Sequence, residues 1–321
     1  MENVVKAGIF GVCIGDALGV PVEFRSREQL KRSPVTKMRA LGTHHQPLGT
    51  WSDDSSLALC LAESLCKDYD LEDIATKFLQ WYNAEIWTPH GRVFDIGIAT
   101  SQAIHRISKG VYPTLCGGTG DFDNGNGSLM RIMPLLFYIK DFPIEKRFDI
   151  VKDVSSITHG HIRSALACFI YLELALEILK GNDKWEAYKT MQKTVWNFLN
   201  ENPICSQNEM DKFHRILELK VGEYDVAPLH TLQEGEISSS GYVLHSLEAS
   251  LWCFLNSETY SEAVLKAVNL GEDTDTIGAI TGGIAGIYYG FENIPLDWIE
   301  ELVRKDDIEN VCNKLENKLM K

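Results

Sequence analysis

The sequence predicts an all-α protein folded as one domain, and three observations support this prediction. Apolar residues recur at helical spacing through most of the 321 residues, and strand signals are scarce. No internal repeat, low-complexity segment or long Pro, Gly and Ser linker divides the chain. We therefore expect one domain over residues 1–321. The predicted helices are 4–19, 55–67, 71–82, 96–108, 162–180, 184–199, 242–255, 261–270, 276–290, 296–304 and 308–320.

The first helix and helix 276–290 share an unusual glycine pattern. Each carries glycines three or four residues apart, so the glycines of one helix share a face. A glycine inside a helix costs about 1 kcal/mol relative to alanine. We therefore expect these glycines to permit close backbone approach, which would bring together the motifs that border the two helices. They are Gly8, Gly11, Gly15 and Gly19 in the first helix and Gly278, Gly282, Gly286 and Gly290 in the second.

The chain is acidic, with a net charge of −14 from 31 basic and 45 acidic residues. This balance argues against a broad nucleic-acid-binding surface and permits local cation sites. None of the eight cysteines forms a C-x-x-C pair, which indicates reduced thiols of an intracellular protein. The N-terminus lacks a signal-peptide pattern, and the longest charge-free run, 276–291, is shorter than the ~20 residues a membrane helix needs. We expect a cytoplasmic monomer outside the membrane.

The first chemical motif lies directly before the predicted helix 55–67. Ser52 is a typical N-cap residue, and the acids Asp53 and Asp54 suit the positive end of a helix dipole. Capping explains one carboxylate more easily than two. A hydroxyl with two carboxylates is also a hard-oxygen ligand set for Mg²⁺ or Mn²⁺. From this motif alone, capping and metal binding stay equally open.

A second motif repeats this design around the start of helix 276–290. Asp273 and Asp275 lie two residues apart, and Thr276 supplies a hydroxyl. A cap needs only one of these three groups. Two such sets from distant parts of the chain can share two metal ions. Adding Glu23 gives five carboxylates, whose charge nearly balances two divalent ions and is repulsive without them.

Two further motifs carry groups that suit a polar or anionic substrate. Segment 123–131 reads Asp-Asn-Gly-Asn-Gly-Ser-Leu-Met-Arg, and its glycines can expose backbone N–H groups that cradle a phosphate. Such a turn is common, so this signal is weak by itself. Segment 158–161 reads Thr-His-Gly-His, and the oxygen ligands elsewhere argue against a histidine metal site. We expect one of His159 and His161 to contact the substrate and the other to be structural.

Segment 24–48 reverses the charge of the rest of the chain. It reads as a loop or a broken helix, with six basic residues against a single acid, Glu28. Two interpretations stay open, a solvated charged loop and a flap that meets a negatively charged substrate. The basic residues are Arg25, Arg27, Lys31, Arg32, Lys37 and Arg39.

Five motifs, taken in order, resemble one known family. The sequence from about residue 5 to 292 is similar to the ADP-ribosylglycohydrolase family, which includes the dinitrogenase reductase-activating glycohydrolase. The two aspartate motifs are the most specific part of this resemblance. The motifs are G-D-A-L-G-V-P-V-E-F at 15–24, W-S-D-D at 51–54, G-N-G-S-L-M-R at 125–131, T-H-G-H at 158–161 and N-L-G-E-D-T-D-T-I-G-A at 269–279.

The resemblance implies an all-α orthogonal helical bundle with a binuclear Mg²⁺ or Mn²⁺ centre. It also implies that Glu23 aligns with a glutamate that gates the site in some relatives. Two positions depart from the family pattern. Ser52 stands where threonine is common but keeps the hydroxyl, and Glu272 replaces a frequent glycine. The implied metal ligands are Ser52, Asp53, Asp54, Asp273, Asp275 and Thr276.

The resemblance also implies contacts with the substrate. Gly127 and Ser128 would meet the diphosphate of ADP-ribose, and Asn126 and His159 would bind other parts of the substrate. Phe122 is a candidate for stacking on adenine. Segment 24–48 matches no usable pattern of the relatives, which leaves the acceptor open. It can be arginine, serine, nucleic acid or a small molecule.

The implied reaction is hydrolysis of the glycosidic bond between ADP-ribose and an acceptor such as a protein, with ADP-ribose as product. Asp54 or Asp275 is expected to lie nearest the attacking water, and Glu23 is the alternative proton-transfer group. Two other readings stay open. One is a non-catalytic ADP-ribose-binding or crystallin-like protein. The other is a hydrolase of a small derivative such as O-acetyl-ADP-ribose.

Overall fold

A computed structural model describes residues 3–218 and 226–319, and this part of the chain is built from α-helices. Three isolated β-bridges occur there, and no strand, so the all-α prediction is confirmed. The helices are α1 (Val4–Gly19), α2 (Arg27–Arg32), α3 (Asp53–Leu65), α4 (Leu71–Ala84), α5 (Ile98–Ser108), α6 (Leu135–Ile139), α7 (Ile144–Ser156), α8 (Ile162–Leu179), α9 (Lys184–Glu201), α10 (Gln207–Asp211), α11 (His214–Leu217), α12 (Val243–Leu255), α13 (Tyr260–Val268), α14 (Thr274–Tyr289), α15 (Leu296–Glu301) and α16 (Lys305–Leu319).

The predicted helices agree with the observed ones to within a few residues at each end, but five helices are absent from the prediction. Helix α2 lies inside segment 24–48, where Ser26 caps it by accepting a hydrogen bond from the Gln29 N–H. Helix α7 is a longer omission, because its sequence is polar on average and only one side, including Phe148 and Val151, is buried. The remaining three, α6, α10 and α11, have five residues or fewer.

Helices α1 and α14 run antiparallel and pack backbone against backbone. A Cβ atom on Gly15 would lie 2.0 Å from the carbonyl oxygen of Gly278. A Cβ atom on Gly282 would lie 2.1 Å from the carbonyl oxygen of Gly11. Both distances are far below van der Waals contact, so only glycine permits this approach. The predicted role is confirmed for six of the eight glycines, whereas Gly8 faces side chains and Gly290 lies just beyond the end of α14. The six are Gly11, Gly15, Gly19, Gly278, Gly282 and Gly286.

Apolar packing around this helix pair forms the core. Helices α3, α8, α12 and α13 contact α1 or α14, and α8 is buried along almost its whole length. By length and composition alone, Val4–Val22 could cross a membrane, but 89% of this apolar stretch is buried inside the fold. Its apolarity is therefore accounted for by core packing.

Candidate metal centre and substrate cavity

The first acidic motif occupies the N-terminal end of α3. Ser52 is the N-cap, and its Oγ accepts the backbone N–H of Asp54 at 3.3 Å, as predicted. The same hydroxyl donates to Asp54 Oδ2 at 2.9 Å. Asp53 and Asp54 lie in the first turn, where the helix dipole favours negative charge. The cap itself thus uses the serine and neither carboxylate.

The second motif occupies the N-terminal end of α14 and meets the first. Thr276 Oγ1 donates to Asp54 Oδ2 at 3.4 Å, which joins positions 222 residues apart. Asp275 Oδ1 accepts the Thr276 N–H at 3.0 Å. Asp273 directly precedes the helix, and its Oδ2 accepts a hydrogen bond from Asn126 Nδ2 at 2.7 Å. The two motifs therefore form one acidic centre.

Asp16 of α1 also belongs to this centre, although the sequence analysis gave it no role. Its carboxylate accepts the backbone N–H groups of Ser52 at 2.9 Å and of Ser55 at 3.0 Å. Asp16 Oδ2 also accepts the Ser55 hydroxyl at 2.5 Å. Asp16 therefore holds the turn that carries Asp53 and Asp54. The available signal was a single acid inside an apolar helix, which is costly to bury without partners.

The carboxylates of the centre are crowded and buried. Ligand oxygens of Asp16, Asp54 and Asp275 lie within 4.8 Å of one another. Those of Glu23, Asp273 and Asp275 do so as well. Burial first, and then the neighbouring acids, raise the pKa values of Asp54 and Asp275 well above their usual range. Without cations, this centre therefore favours protonated carboxyl groups.

Two oxygens of this centre lack a hydrogen-bond partner among the described residues. They are Asp54 Oδ1 and Asp275 Oδ2, and both are buried. A buried polar atom without a partner costs free energy. A divalent cation would satisfy the lone pairs and offset the charge, and Mg²⁺ and Mn²⁺ prefer oxygen donors of this kind. The residues therefore fit a divalent cation.

Glu23 lies at the edge of the centre and contacts a histidine that no sequence motif marks. His44 Nε2 contacts Glu23 Oε2, and Asp95 Oδ2 lies 4.0 Å from the same nitrogen. Burial raises the pKa of Glu23 to about 7, and the contact with Glu23 raises the pKa of His44. This pair can hold or release a proton near neutral pH. His44 and Asp95 come from separate loops, so no spacing in the sequence connects them.

A cavity of about 380 Å³ lies against the acidic centre. One side, here named the acidic wall, has Asp54, Asp275 and Asp16 behind it. The other side, here named the glycine-loop wall, comes from the loop 123–128, here named the glycine loop, and from the segment that precedes α8. The acidic wall consists of Glu23, Asp53, Asp95, Asp273 and Thr276, and the glycine-loop wall of Gly125, Asn126, Gly127 and His159.

His159 is buried in the glycine-loop wall. Its Nδ1 pairs with Thr158 Oγ1 at 2.8 Å, and a Cβ atom on Gly127 would lie 2.8 Å from its Cε1. The loop therefore needs glycine to pass so close to the ring. Burial lowers the pKa of His159 to about 3, so the ring is neutral at pH 7. His161, in contrast, caps α8 by accepting the N–H of Arg163 at 3.2 Å.

The backbone of the glycine loop offers free donors to the cavity. Within the described ranges, the N–H groups of Gly127 and Ser128 have no hydrogen-bond acceptor. The Ser128 side chain lies inside the protein, where its Oγ contacts Ser155 Oγ at 3.0 Å and Cys168 Sγ at 3.5 Å. Ser128 is fully buried and does not line the cavity, whereas Gly127 does, so the Ser128 hydroxyl is not available to a ligand there. Asn126 lines the cavity and is tied to the acidic wall through Asp273.

A second cavity of about 530 Å³ adjoins the first. The two share Phe122, Gly125 and Gly241, so they form one continuous depression. The Phe122 side chain is fully exposed at their junction. Tyr242 and Arg163 line the second cavity, and the Arg163 guanidinium lies 5.9 Å from the centre of the Tyr242 ring. An aromatic surface is therefore available beside the acidic cavity.

The basic segment 24–48 is tied to the protein through Arg27. This side chain donates to the carbonyl oxygens of Leu270 at 2.8 Å and Ile237 at 2.7 Å. Lys31 forms an exposed ion pair with Glu234 at 3.0 Å. Arg27 is thus neither solvated nor directed at a substrate, and neither interpretation of the segment describes it.

The backbone conformation at Glu272 explains why the family pattern often has glycine at this position. Its φ is 62°, in the left-handed region that glycine adopts most readily. Its N–H donates to the Arg25 carbonyl at 2.8 Å, and its carbonyl accepts the Phe24 N–H at 2.7 Å. The position next to Asp273 therefore needs this backbone shape, and the glutamate adopts it at some cost.

Comparisons with known proteins agree with this architecture. A family model described as ADP-ribosylglycohydrolase matches residues 1–321. One solved structure, an ADP-ribosylglycohydrolase-related protein complex, superposes with a TM-score of 0.79 at 28% identity, covering 99% of this chain and 98% of that one.

The similar sequences include bacterial proteins whose names describe an activity. The ADP-ribosylarginine hydrolase Tri1 of Serratia proteamaculans is 31% identical, over 97% of this chain and 78% of the relative. The protein of that name from Pseudomonas putida is 30% identical, over 97% and 77%. The ADP-ribosyl-[dinitrogen reductase] glycohydrolase of Rhodospirillum rubrum is 25% identical, over 93% and 90%.

Proposed function

We propose that this chain, which belongs to the ADP-ribosylglycohydrolase family, hydrolyses the glycosidic bond between ADP-ribose and an acceptor and releases ADP-ribose. The observation that carries the proposal is one cavity with two chemically opposite walls. The acidic wall suits cations, and the glycine-loop wall suits the anionic diphosphate of ADP-ribose. A substrate that carries a ribose at one end and a diphosphate in the middle can use both walls at once.

Two divalent cations, Mg²⁺ or Mn²⁺, are the proposed cofactors. The support is the oxygen-only donor set and the two buried oxygens without partners, Asp54 Oδ1 and Asp275 Oδ2. When bound, such ions orient sugar hydroxyls and make a water molecule more acidic. The proposed ligands are Ser52, Asp53, Asp54, Asp273, Asp275 and Thr276.

The chain itself supplies the groups that stabilise charge and move protons. Cleavage at C1 of the ribose builds positive charge on the sugar, which nearby carboxylates stabilise. Asp54 and Asp275 are the proposed carboxylates closest to the reacting atoms. Glu23, with its pKa raised to about 7 by burial, can donate a proton to the leaving group or accept one from water. His44 holds the Glu23 carboxyl group in place.

The glycine-loop wall is the proposed site of the diphosphate. The unpaired N–H groups of Gly127 and Ser128 can donate to phosphate oxygens, and neutral His159 can donate one further hydrogen bond. Adenine then extends into the adjoining cavity. Phe122 and Tyr242 offer it aromatic faces there.

Arginine is the proposed acceptor. Two relatives that are at least 30% identical are named as ADP-ribosylarginine hydrolases. Asp95 and Glu23 also lie together at the acidic end of the cavity, and Asp95 is 24% exposed at its side chain. Carboxylates of this kind pair with a guanidinium group, which is the leaving group of an arginine linkage.

A panel of defined substrates tests both the reaction and the acceptor. The protein is supplied with Mg²⁺ or Mn²⁺ and with arginine-, serine- and nucleic-acid-linked ADP-ribose and O-acetyl-ADP-ribose, and free ADP-ribose is quantified. We expect the arginine linkage to be cleaved fastest. Faster cleavage of another linkage would refute arginine as the acceptor. No release from any member of the panel would refute the hydrolase and favour a binding protein.

A further inference from the structure

Arg131 is a buried cation without an acidic partner. Its side chain is fully buried, and its guanidinium lies 4.9 Å from the centre of the Phe78 ring. Its NH1 donates to the Gly127 carbonyl, and its NH2 donates to the Val154 carbonyl at 3.2 Å. Within residues 3–218 and 226–319, no carboxylate lies within ion-pair distance of this guanidinium.

Burying such a charge is expensive. Removing a charged group from water costs several kcal/mol in a protein, and an opposite charge normally offsets much of that cost. Burial lowers the pKa of Arg131 only to about 10, so the group stays charged at neutral pH. An apolar side chain of similar length would fill the same space without this cost. A purely structural role therefore does not account for arginine here.

The contact with Gly127 determines which way a neighbouring donor points. In a trans peptide, the C=O and N–H groups point in opposite directions. The Gly127 carbonyl points at Arg131, which lies behind the glycine loop and does not line the cavity. The N–H of Ser128, in the same peptide unit, therefore points away from Arg131, and Gly127 itself lines the cavity. This N–H has no acceptor elsewhere in the described residues.

We propose that Arg131 is a positioning residue for anion binding, which fixes the Gly127–Ser128 peptide where Gly127 lines the cavity and places a positive charge behind it. This role rests on the proposed function, in which the diphosphate of ADP-ribose meets the same peptide. The charge acts through the buried loop, where solvent screens it little. Among the described residues, no hydrogen bond or ion pair joins Arg131 to the acidic wall, and Asp53 interacts with its charge only through space. Diphosphate binding should therefore respond to a change at Arg131 far more strongly than cation binding.

Two binding titrations on the same variants test this role. In Arg131→Met, we expect the Kd for ADP-ribose to rise about 10- to 100-fold, because a charge-assisted arrangement of donors is lost. The Kd for Mn²⁺ alone should stay within about twofold of the wild type. Arg131→Lys keeps the charge but cannot donate to both the Gly127 and the Val154 carbonyls, so it should bind ADP-ribose with intermediate affinity.

A partly buried arginine provides the control. The side chain of Arg147 is 11% exposed, forms a two-point ion pair with Glu173 at 2.7 and 2.6 Å, and does not line the cavity. Arg147→Met should lower the melting temperature and leave both Kd values unchanged. If Arg131→Met does not fold, Arg131→Lys decides the question.

The outcomes separate this inference from the proposed function. Wild-type protein that binds no ADP-ribose would refute the proposed function and this role together. If the wild type binds ADP-ribose and the Arg131 variants bind it equally tightly, only the role of Arg131 is refuted. Equal losses of Mn²⁺ and ADP-ribose affinity would show a structural role and also overturn the inference.

Discussion

The acidic wall and the glycine-loop wall face one cavity, yet they are built from different kinds of groups. The acidic wall concentrates carboxylates, and directly behind it lie Asp54 and Asp275, whose pKa values are raised, chiefly by burial. Each of these two has a buried oxygen without a hydrogen-bond partner in the part of the chain that the structure describes. The glycine-loop wall has backbone N–H groups, a neutral histidine and a buried guanidinium behind it. The acidic wall therefore needs positive charge from bound cations, whereas the glycine-loop wall has the positive charge of Arg131 behind it.

This difference implies that the two walls depend on different conditions. The acidic wall is complete only when cations are bound, because its carboxylates repel one another otherwise. The glycine-loop wall is complete in the protein alone. Protonation also affects them in opposite directions, since it relieves buried carboxylates and penalises a buried neutral histidine. Variants that change one wall at a time can therefore confirm or break the comparison.

Loss of one carboxylate directly behind the acidic wall should have the largest effect. In Asp54→Asn we expect kcat/KM to fall about a thousandfold, or ~4 kcal/mol, because the charge that holds the cations is lost. The fold should persist by circular dichroism, since Ser52 supplies the helix cap. Asp297→Asn, also in the first turn of a helix but exposed, is the control and should keep full activity. Nearly normal turnover by Asp54→Asn would contradict the proposed role of the acidic wall.

The packing beneath the acidic wall should be the next most sensitive feature. In Gly15→Ala, the new Cβ would lie 2.0 Å from the Gly278 carbonyl oxygen, which must displace α14 and the aspartates at its N-terminal end. We expect a loss of about 3 kcal/mol in the free energy of unfolding, measured by urea denaturation. In Gly8→Ala, the nearest atom to the new Cβ is a side-chain carbon of Phe137 at 3.1 Å and not the backbone of α14, so this variant should lose much less. Equal losses in the two variants would show that this close approach does not limit the fold.

The glycine-loop wall should respond to pH through His159. Its pKa is lowered by burial to about 3 in the folded state, so folding loses stability as pH falls below about 6.5, the unfolded value. Between pH 7 and 5 the wild type should lose ~2 kcal/mol relative to His159→Gln. Carboxylates titrate in both proteins, so their contribution largely cancels. His105→Gln, at an exposed histidine, is the control. A stability difference between the wild type and His159→Gln that stays constant with pH would contradict a buried, neutral His159 ring.

The smallest effect should come from the backbone beside the acidic wall. Glu272 has a φ of 62°, and glycine adopts this region without the penalty of about 1 kcal/mol that a side chain incurs. Glu272→Gly should therefore raise the stability of the protein by about 0.5 kcal/mol after the entropy of glycine is subtracted. Glu272→Ala removes the same carboxylate and keeps Cβ, so it should give no gain. Equal melting temperatures for the two variants would contradict the proposal that the backbone at Glu272 is strained.

The sequence predicted the acidic wall better than the rest of the site. The residues of each acidic motif lie close together in the sequence, because each motif occupies the start of one helix. The spacing of the glycines within each helix likewise predicts the close packing of α1 against α14. His44 and Asp95 could not be found in this way, and the signal for Asp16 was only that of a single acid inside an apolar helix. Each is one residue from a different segment, and only tertiary packing brings it to the site.

The glycine loop shows a second limit of sequence reasoning. Its motif marked Gly127 and Ser128, but a motif does not tell side chain from backbone. The Ser128 hydroxyl lies inside the protein, and its N–H is the free donor. Arg131 stands at the end of the same motif without any sign that its partners are carbonyls and not acids.

The most direct test is release of ADP-ribose from an arginine-linked substrate during a Mn²⁺ titration of chelator-treated protein. We expect no turnover in the metal-free protein, recovery as about two ions bind, and no recovery in Asp54→Asn. ADP-ribose should still bind weakly to the metal-free protein through the glycine-loop wall. Full turnover in the presence of a chelator, or none at saturating Mn²⁺ on any ADP-ribosyl linkage, would contradict the account of a cation-dependent hydrolase.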